Sequence, residues 1–313
     1  MMDPRKKIFV TGHKGLVGSA ILRRLERSGI MRDYPYNIVV APHSEIDLSD
    51  ETQTRWFFSV HRPAYVFHCA AWVGGIMAHT NCSTEAIIQN SAIQNNVISL
   101  SAEYGVEKLL FLGSACAYPK RAAVPLVESE LLNGPLEESN KGYALCKILG
   151  HELCKAFRRE KGCNFISCIP TNLYGLNDNY DPEKSHVIPG MIHRFHKAKV
   201  KGEDVTLWGS GNPVREFLWS DDLASACVRL MDVYDGEDPV NLGSGQWCQL
   251  SGLARLVSKA VGFTGKINWD RSKPDGTPVR FLDCSKIRQM GWVPTTLLEN
   301  GLSIAYRDFL SRQ

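Results

Sequence analysis

The sequence predicts an α/β fold, a doubly wound parallel sheet joined to a smaller mixed α/β portion at its C-terminal end. Three observations predict it. Short apolar runs alternate with helical segments as far as Pro170, the order that builds a parallel sheet with right-handed crossovers. The first run passes through a glycine-rich turn straight into an amphipathic helix. Beyond Pro170-Thr171-Asn172-Leu173-Tyr174-Gly175 the texture changes to helices separated by short strands and many turns.

Residues 7–11 (K-I-F-V-T) read as a buried strand, and residues 19–28 as the helix after it. Between them lies Gly12-His13-Lys14-Gly15-Leu16-Val17-Gly18. Glycines at this spacing, between strand and helix, fit a dinucleotide loop. Gly12 permits the tight turn. Gly15 lets the backbone approach a pyrophosphate, which sits over the helix N-terminus with its free N–H groups and positive dipole. Gly18 lets helix and strand pack closely.

Residues 36–40 (Y-N-I-V-V) read as the second strand. An NAD site usually has an acid at this strand's end for the ribose hydroxyls. Here Ala41-Pro42-His43-Ser44 intervenes before Glu45. Lys14 and His43 can instead face a ribose 2′-phosphate, which favours NADP, with Asp47 and Leu48 near the adenine. A helix is expected over 52–61 and another apolar strand over 65–70 (Y-V-F-H-C-A). The small residues Ala70, Ala71, Gly74 and Gly75 after it suit a backbone lying against a cofactor. Residues 84–104 form a long helix with Ile87, Ile88, Ile93, Val97, Ile98 and Leu100. That is more apolar surface than one sheet face needs, so a partner helix from a second subunit is expected.

Residues 108–112 (K-L-L-F-L) form a buried strand ending in Gly113-Ser114-Ala115-Cys116. Ligands in open α/β sheets bind beyond the carboxyl ends of the strands, so Ser114 sits where chemistry is expected. After a loop through Pro125 and Pro135, Asn140 is expected to cap a helix running to about Lys161. Tyr143 and Lys147 lie four residues apart on one face of it. The nearby ammonium favours phenolate, so the tyrosine is expected to titrate below its free value of about 10 and to exchange protons near neutral pH. Residues 165–169 count as the sixth strand. Later helices are expected at 188–198, 221–234, 250–261 and 297–309.

Bulk properties narrow the class. Apolar residues make up 44% and charged residues 22% of 313 positions, ordinary for a globular enzyme. The net charge of +3 is too small to argue for nucleic acid and suits an anionic small ligand. No apolar run reaches membrane-spanning length, and Met1-Met2-Asp3-Pro4-Arg5-Lys6-Lys7 does not open a signal peptide. The ten cysteines contain no Cys-x-x-Cys pair. Such unpatterned cysteines read as reduced and cytoplasmic, with no metal site indicated.

T-G-x-x-G-x-x-G, a serine at a strand end and Y-x-x-x-K together resemble the extended short-chain dehydrogenase/reductases, a Rossmann family. The closer resemblance is to that family's GDP-L-fucose synthase branch. It is carried by G-H-K-G-L-V-G, A-A-W-V-G-G-I, L-G-S-A-C-A-Y-P-K, P-T-N-L-Y-G-L-N-D-N, S-H-V-I-P, W-G-S-G-N-P-V-R-E-F and S-K-P-D-G-T-P, almost end to end. Two positions depart. Ala115 stands where a second hydroxyl is expected, and His43 where bacterial members offer an arginine to the 2′-phosphate.

The resemblance implies an NADP-binding Rossmann domain over 1–170, with part of 217–243 returning to it, and a substrate-binding domain over 171–313. It implies a homodimer, and a GDP-sugar ketone that is epimerised at carbons three and five and then reduced at carbon four. Cys116 and His186 are similar to the family's base and acid. A thiol and an imidazole ordinarily titrate at about 8.5 and about 6.5, so both can exchange protons near neutral pH. Ser114 and Tyr143 would bind the carbonyl oxygen, and Lys147 would also hold the nicotinamide ribose. The cofactor would touch the loop from Gly12 to Gly18, then His43, Asp47 and Leu48, then Ala70 and Ala71. Further along it would touch Leu112, Gly113, Lys147, Pro170, Asn172, Leu173 and His186. Val187, Arg194, Trp208, Arg215, Asp275 and Arg280 occupy the substrate positions. An arginine's planar fork suits diphosphate oxygens.

Other readings stay open. A 4,6-dehydratase of this fold would carry Thr-Asp-Glu where the chain has Ala115-Cys116-Ala117. A 4-epimerase would show no net oxidation of cofactor. A non-catalytic dinucleotide sensor tends to lose the tyrosine or lysine that this chain keeps.

Overall fold

Twelve strands appear among the residues described by a computed structural model, which are 2–34, 37–74, 83–273 and 275–313. They are β1 (Ile8–Val10), β2 (Ile38–Val39), β3 (Tyr65–His68), β4 (Lys108–Leu112), β5 (Phe165–Pro170) and β6 (Asn172–Tyr174) in the first part. Then come β7 (Val205–Trp208), β8 (Val214–Trp219), β9 (Val240–Leu242), β10 (Trp247–Gln249), β11 (Ile267–Asp270) and β12 (Val279–Arg280). Tyr36, Gly75, Ile76, Cys82 and Pro274 lie outside the described residues.

The main sheet runs β2-β1-β3-β4-β5-β9, and every pairing in it is parallel. This is the doubly wound sheet the sequence predicts. Side chains alternate across a strand, and here both faces are covered. Ile8, Val10, Phe67, Leu110, Leu112 and Ile166 pack on one side with helix Ser220–Val233. Phe9, Val66, Leu109, Phe111 and Phe165 pack on the other with Val97 and Ile98. The strand order reverses between β1 and β3, so the loops after them open a crevice at the carboxyl edge.

Some boundaries differ from expectation. The first helix is Leu16–Arg27, so Gly18 lies inside its first turn. The run at 165–169 is the chain's fifth strand, and β9 is the sixth member of the sheet. Three residues, Val-Asn-Leu, carry no strand signal of their own. They become a strand because β5 offers an open edge, with Cys168, Ile169 and Pro170 registered against Val240, Asn241 and Leu242.

A second core lies beside the sheet. Helices Val187–Lys201, Leu250–Val261 and Leu298–Leu310 bury Ile188, Ile192, Phe195, Leu253, Val257, Leu302 and Phe309 together. A small sheet β10-β8-β12, to which β6 adds on β8, and the pair β7 with β11 stand with them. The long helix Ser83–Glu103 runs against helix Lys141–Lys161.

Candidate active site

The glycine loop has the geometry of a cradle. Gly12 is at φ +64°, and a β-carbon there would lie 3.0 Å from the backbone of Ala70. A β-carbon on Gly18 would lie 2.3 Å from the Gly12 carbonyl oxygen. Both positions therefore exclude side chains. Gly15 caps helix Leu16–Arg27 without any side-chain bond, and no acid stands in that first turn. The leading amides are left for an anion, which is what a diphosphate requires. Ala70 and Ala71 are half-buried beside this loop.

Thr11 ties the two loops together. Its hydroxyl accepts from the amides of Cys69 and Ala70 at 2.9 and 2.8 Å, and meets Nδ1 of His68 at 3.1 Å. Burial pushes His68 down to about 3, so its ring is neutral, and the threonine hydroxyl, already accepting twice, is left to donate a hydrogen bond to Nδ1. Sequence reading gave neither residue a role of its own, although Thr11 opens T-G-x-x-G-x-x-G. The signal was the threonine that ends the first strand.

Where the sequence expects the adenosine, Lys14 and His43 are exposed and His13 is half-buried. Burial, helped by Lys14, lowers the pKa of His13. Nδ1 of His43 stands 3.9 Å from Asp47. Leu48 supports the Asp47 turn through its carbonyl, which accepts from Asn96 at 3.0 Å.

The catalytic candidates meet where β4 ends. Gly113 is pressed against β5, where a β-carbon would lie 2.9 Å from the Cys168 carbonyl oxygen. Ser114 then caps a short turn over Ala115–Ala117, its hydroxyl accepting from the Cys116 amide at 3.2 Å. Ser114 also hydrogen-bonds Tyr143. Lys147 is buried and donates to the Leu112 carbonyl at 2.9 Å. Its nitrogen is 5.5 Å from the Tyr143 ring centre. Sγ of Cys116 accepts from Nδ2 of Asn140 at 3.1 Å.

Two expectations need correction here. Tyr143 does not titrate low. Burial pushes its pKa up, a charge on Cys116 would push it further, and the Ser114 bond opposes only part of this. Burial also lowers Lys147 to about 8, and its ammonium is held by the Leu112 carbonyl instead of the phenol. Asn140 does stand at the N-cap of helix Lys141–Lys161, but its side chain makes no cap bond because it is turned to Cys116.

His186 is exposed at the N-cap of helix Val187–Lys201, and its carbonyl accepts from the Gly190 amide at 3.0 Å. Val187 follows it, also exposed, and Arg194 lies two turns along the same helix. Pro170, Asn172 and Leu173 sit where β5 passes into β6, with Asn172 donating to the Glu216 carbonyl at 2.9 Å.

The remaining candidates line a second patch. Trp208 is about half exposed, with the Arg194 guanidinium 5.4 Å and the Lys273 ammonium 5.7 Å from its ring centre. Asp275 accepts from the Ser210 amide and hydroxyl at 2.6 and 2.7 Å. Arg215 and Arg280 are side by side on β8 and β12. Burial, then the charge of Arg280, lowers the pKa of Arg215. Two cations held together this way suit an anionic ligand. Arg280 also donates to the Ala115 carbonyl at 3.1 Å, fastening this patch to the catalytic turn. Nothing in the sequence marked that link, nor the role of Lys273.

Among the described residues no helix is long and apolar enough to cross a membrane, and no acid, histidine and cysteine group is placed to hold a metal ion.

Comparison with known proteins bears on this arrangement. The profile of the NAD dependent epimerase/dehydratase family matches residues 8–243. GDP-L-fucose synthase 1 of Arabidopsis thaliana is 50% identical over 311 residues, covering 99% of this chain and 95% of that protein. A GDP-6-OMe-4-keto-L-xylo-heptose reductase from C. jejuni superposes with a TM-score of 0.93 at 31% identity, covering 100% of this chain and 99% of the other. A GDP-L-fucose synthetase from Naegleria fowleri bound to NADP gives 0.89 at 30% identity, over 100% and 96% of the two chains. On that match and those full-length identities, the chain belongs to the NAD dependent epimerase/dehydratase family, within its GDP-L-fucose synthase branch.

Proposed function

We propose that this chain converts GDP-4-keto-6-deoxy-D-mannose to GDP-L-fucose, by epimerisation at carbons three and five and then NADPH-dependent reduction at carbon four. One observation carries the reading. Ser114, Cys116 and Tyr143 meet on one turn and one helix at the carboxyl end of β4, and Arg280 is fastened to that same turn. A sugar ketone held by Ser114 and Tyr143 therefore has a thiol beside it, and its diphosphate falls to Arg280 and Arg215.

The ketone at carbon four acidifies the hydrogens on carbons three and five. Cys116 takes such a proton, and His186 returns one on the other face. Ser114 and Tyr143 donate to the oxygen that becomes negative, where preorganised donors count most. NADPH supplies the hydride that carbon four accepts. Tyr143, which burial keeps protonated, then gives its proton to the oxygen. The open amides at Gly15 and the side-chain-free faces of Gly12 and Gly18 would hold the cofactor diphosphate, and Lys14 and His43 would meet its 2′-phosphate.

The nucleotide domain spans 1–170 and takes back part of 217–243, as the seat of β9 beside β5 supports. Residues 171–313 otherwise bind substrate. Two copies pair through helices Ser83–Glu103 and Lys141–Lys161, which leave Ile87, Ile88, Leu145 and Leu149 exposed. The described cysteines are all free, which suits the reducing cytoplasm.

The test mixes the purified chain with the keto-sugar nucleotide and NADPH or NADH in heavy water. Stoichiometric loss of NADPH with deuterium at carbons three and five is expected. Cys116→Ser should abolish the deuterium while leaving cofactor binding intact. Normal incorporation in that variant overturns the assignment of the base. Reduction without deuterium in the unaltered chain makes it a plain 4-reductase.

A further inference from the structure

Asn140 stands at a helix N-cap, where an asparagine oxygen ordinarily accepts from a first-turn amide. It forgoes that bond. Its Nδ2 reaches back across 24 residues to donate to Sγ of Cys116 at 3.1 Å. Its Oδ1 is enclosed and has no partner among the described residues. Folding alone gives no reason for this choice. A missing cap and a buried acceptor without a donor both weaken the fold, and the gain is one contact with sulfur.

That contact has a chemical use. A carboxamide donor aimed at sulfur holds by a hydrogen bond the group that must face the sugar carbon. It also fixes where the sulfur sits, since Cys116 is otherwise held at its amide by Ser114. We infer that Asn140 is a positioning residue for the epimerisation, its carboxamide holding the Cys116 sulfur as the base that takes the sugar proton. The inference rests on the proposal that Cys116 is that base. Once the sulfur carries a proton, the amide turned half a revolution offers Oδ1 to the S–H, so one side chain serves both states. The other groups bearing on this sulfur are Tyr143 and Lys147 from the same helix, and Arg280 from β12 through the Ala115 carbonyl. All three remain in an Asn140 variant.

The test uses the full chain in heavy water and reads deuterium uptake at carbons three and five, beside NADPH oxidation with a ketone supplied already epimerised and beside the melting temperature. In Asn140→Ala uptake is expected to fall about tenfold, because the sulfur is no longer held in place, while reduction of the epimerised ketone keeps its rate and the melting temperature barely changes because no cap bond is lost. Asn140→Asp, which keeps the shape and removes the donor, is expected to lose at least as much uptake. Uptake and reduction falling together, with a melting temperature lowered by several degrees, mark an ordinary structural asparagine and overturn the inference. Uptake retained by Cys116→Ser overturns the base assignment instead. Uptake unchanged in both Asn140 variants but lost in Cys116→Ser sinks the role of Asn140 and leaves the base standing.

Discussion

Gly150 lies in the interior of helix Lys141–Lys161, and replacing it with alanine sets two effects against each other. Helix propensity favours alanine by about 1 kcal/mol. Packing opposes it. A β-carbon at Gly150 would lie 2.2, 2.6 and 2.8 Å from three ring carbons of Phe111, where carbon contacts prefer about 3.5–4 Å. Phe111 is fully buried in β4, with the His68 ring centre 5.8 Å away and the Lys147 ammonium 5.1 Å from its own. It has little room to retreat. Overpacking of this kind costs about 1–3 kcal/mol, so Gly150→Ala should be destabilised by up to about 2 kcal/mol. In a chain of this size that lowers the melting temperature by up to roughly 3 °C. Calorimetry of the purified variant measures it. Phe111→Leu in the same chain should recover part of the loss, with a coupling of about 0.5–3 kcal/mol. Gly150→Ala melting at or above the unaltered protein would show that helix and strand are not in close contact, and the reasoning would fail.

Lys147 gives a signed pH prediction. Burial lowers it to about 8 from its ordinary 10.5, so between those values the unfolded chain holds a proton the folded chain lacks. Stability from this group therefore rises with pH across that window, and Lys147→Met should flatten the rise seen in urea midpoints. Over the same window NADPH oxidation should decline as the ammonium is lost; a rate flat to pH 10 would count against the lysine's role. Glu216 is fully buried and accepts from the amides of Gly245 at 2.7 Å and Leu282 at 3.0 Å. Glu216→Ala leaves both donors unpaired and should cost roughly 2 kcal/mol or more, read as a shift in the urea midpoint; a shift under half that size would refute it.

The sheet was legible because its signals are local. Short continuous apolar runs, the glycine turn and the Tyr143–Lys147 spacing all act over a few residues. What escaped was set by partners distant in sequence. Part of 217–243 was expected to return to the Rossmann domain, but the three-residue strand β9 and its register are set by the edge that β5 presents. The Arg280 link to Ala115 joins residues 165 apart. Asn140 stands at the cap position its neighbours mark, and only the position of Cys116 shows why its side chain makes no cap bond. The direction of the Tyr143 shift was missed for a related reason. Spacing places an ammonium near a phenol but says nothing of how deeply both are buried.

That last point constrains the chemistry. Burial drives phenol and ammonium alike toward their neutral forms, Tyr143 upward and Lys147 downward. A phenol that keeps its proton at working pH can donate to an oxyanion but cannot abstract from carbon. Had the ammonium lowered it as its spacing suggests, one tyrosine could have served as base and acid in turn. In the reaction proposed above, the phenol that keeps its proton leaves proton removal next to the ketone to another group. Cys116 is the group we propose: it neighbours Tyr143, its amide is fixed by Ser114, and its sulfur is met by a donor. The buried tyrosine and the separate thiol are thus two halves of one requirement. A chain of this fold with the same enclosed phenol and no base beside it would be left with reduction alone.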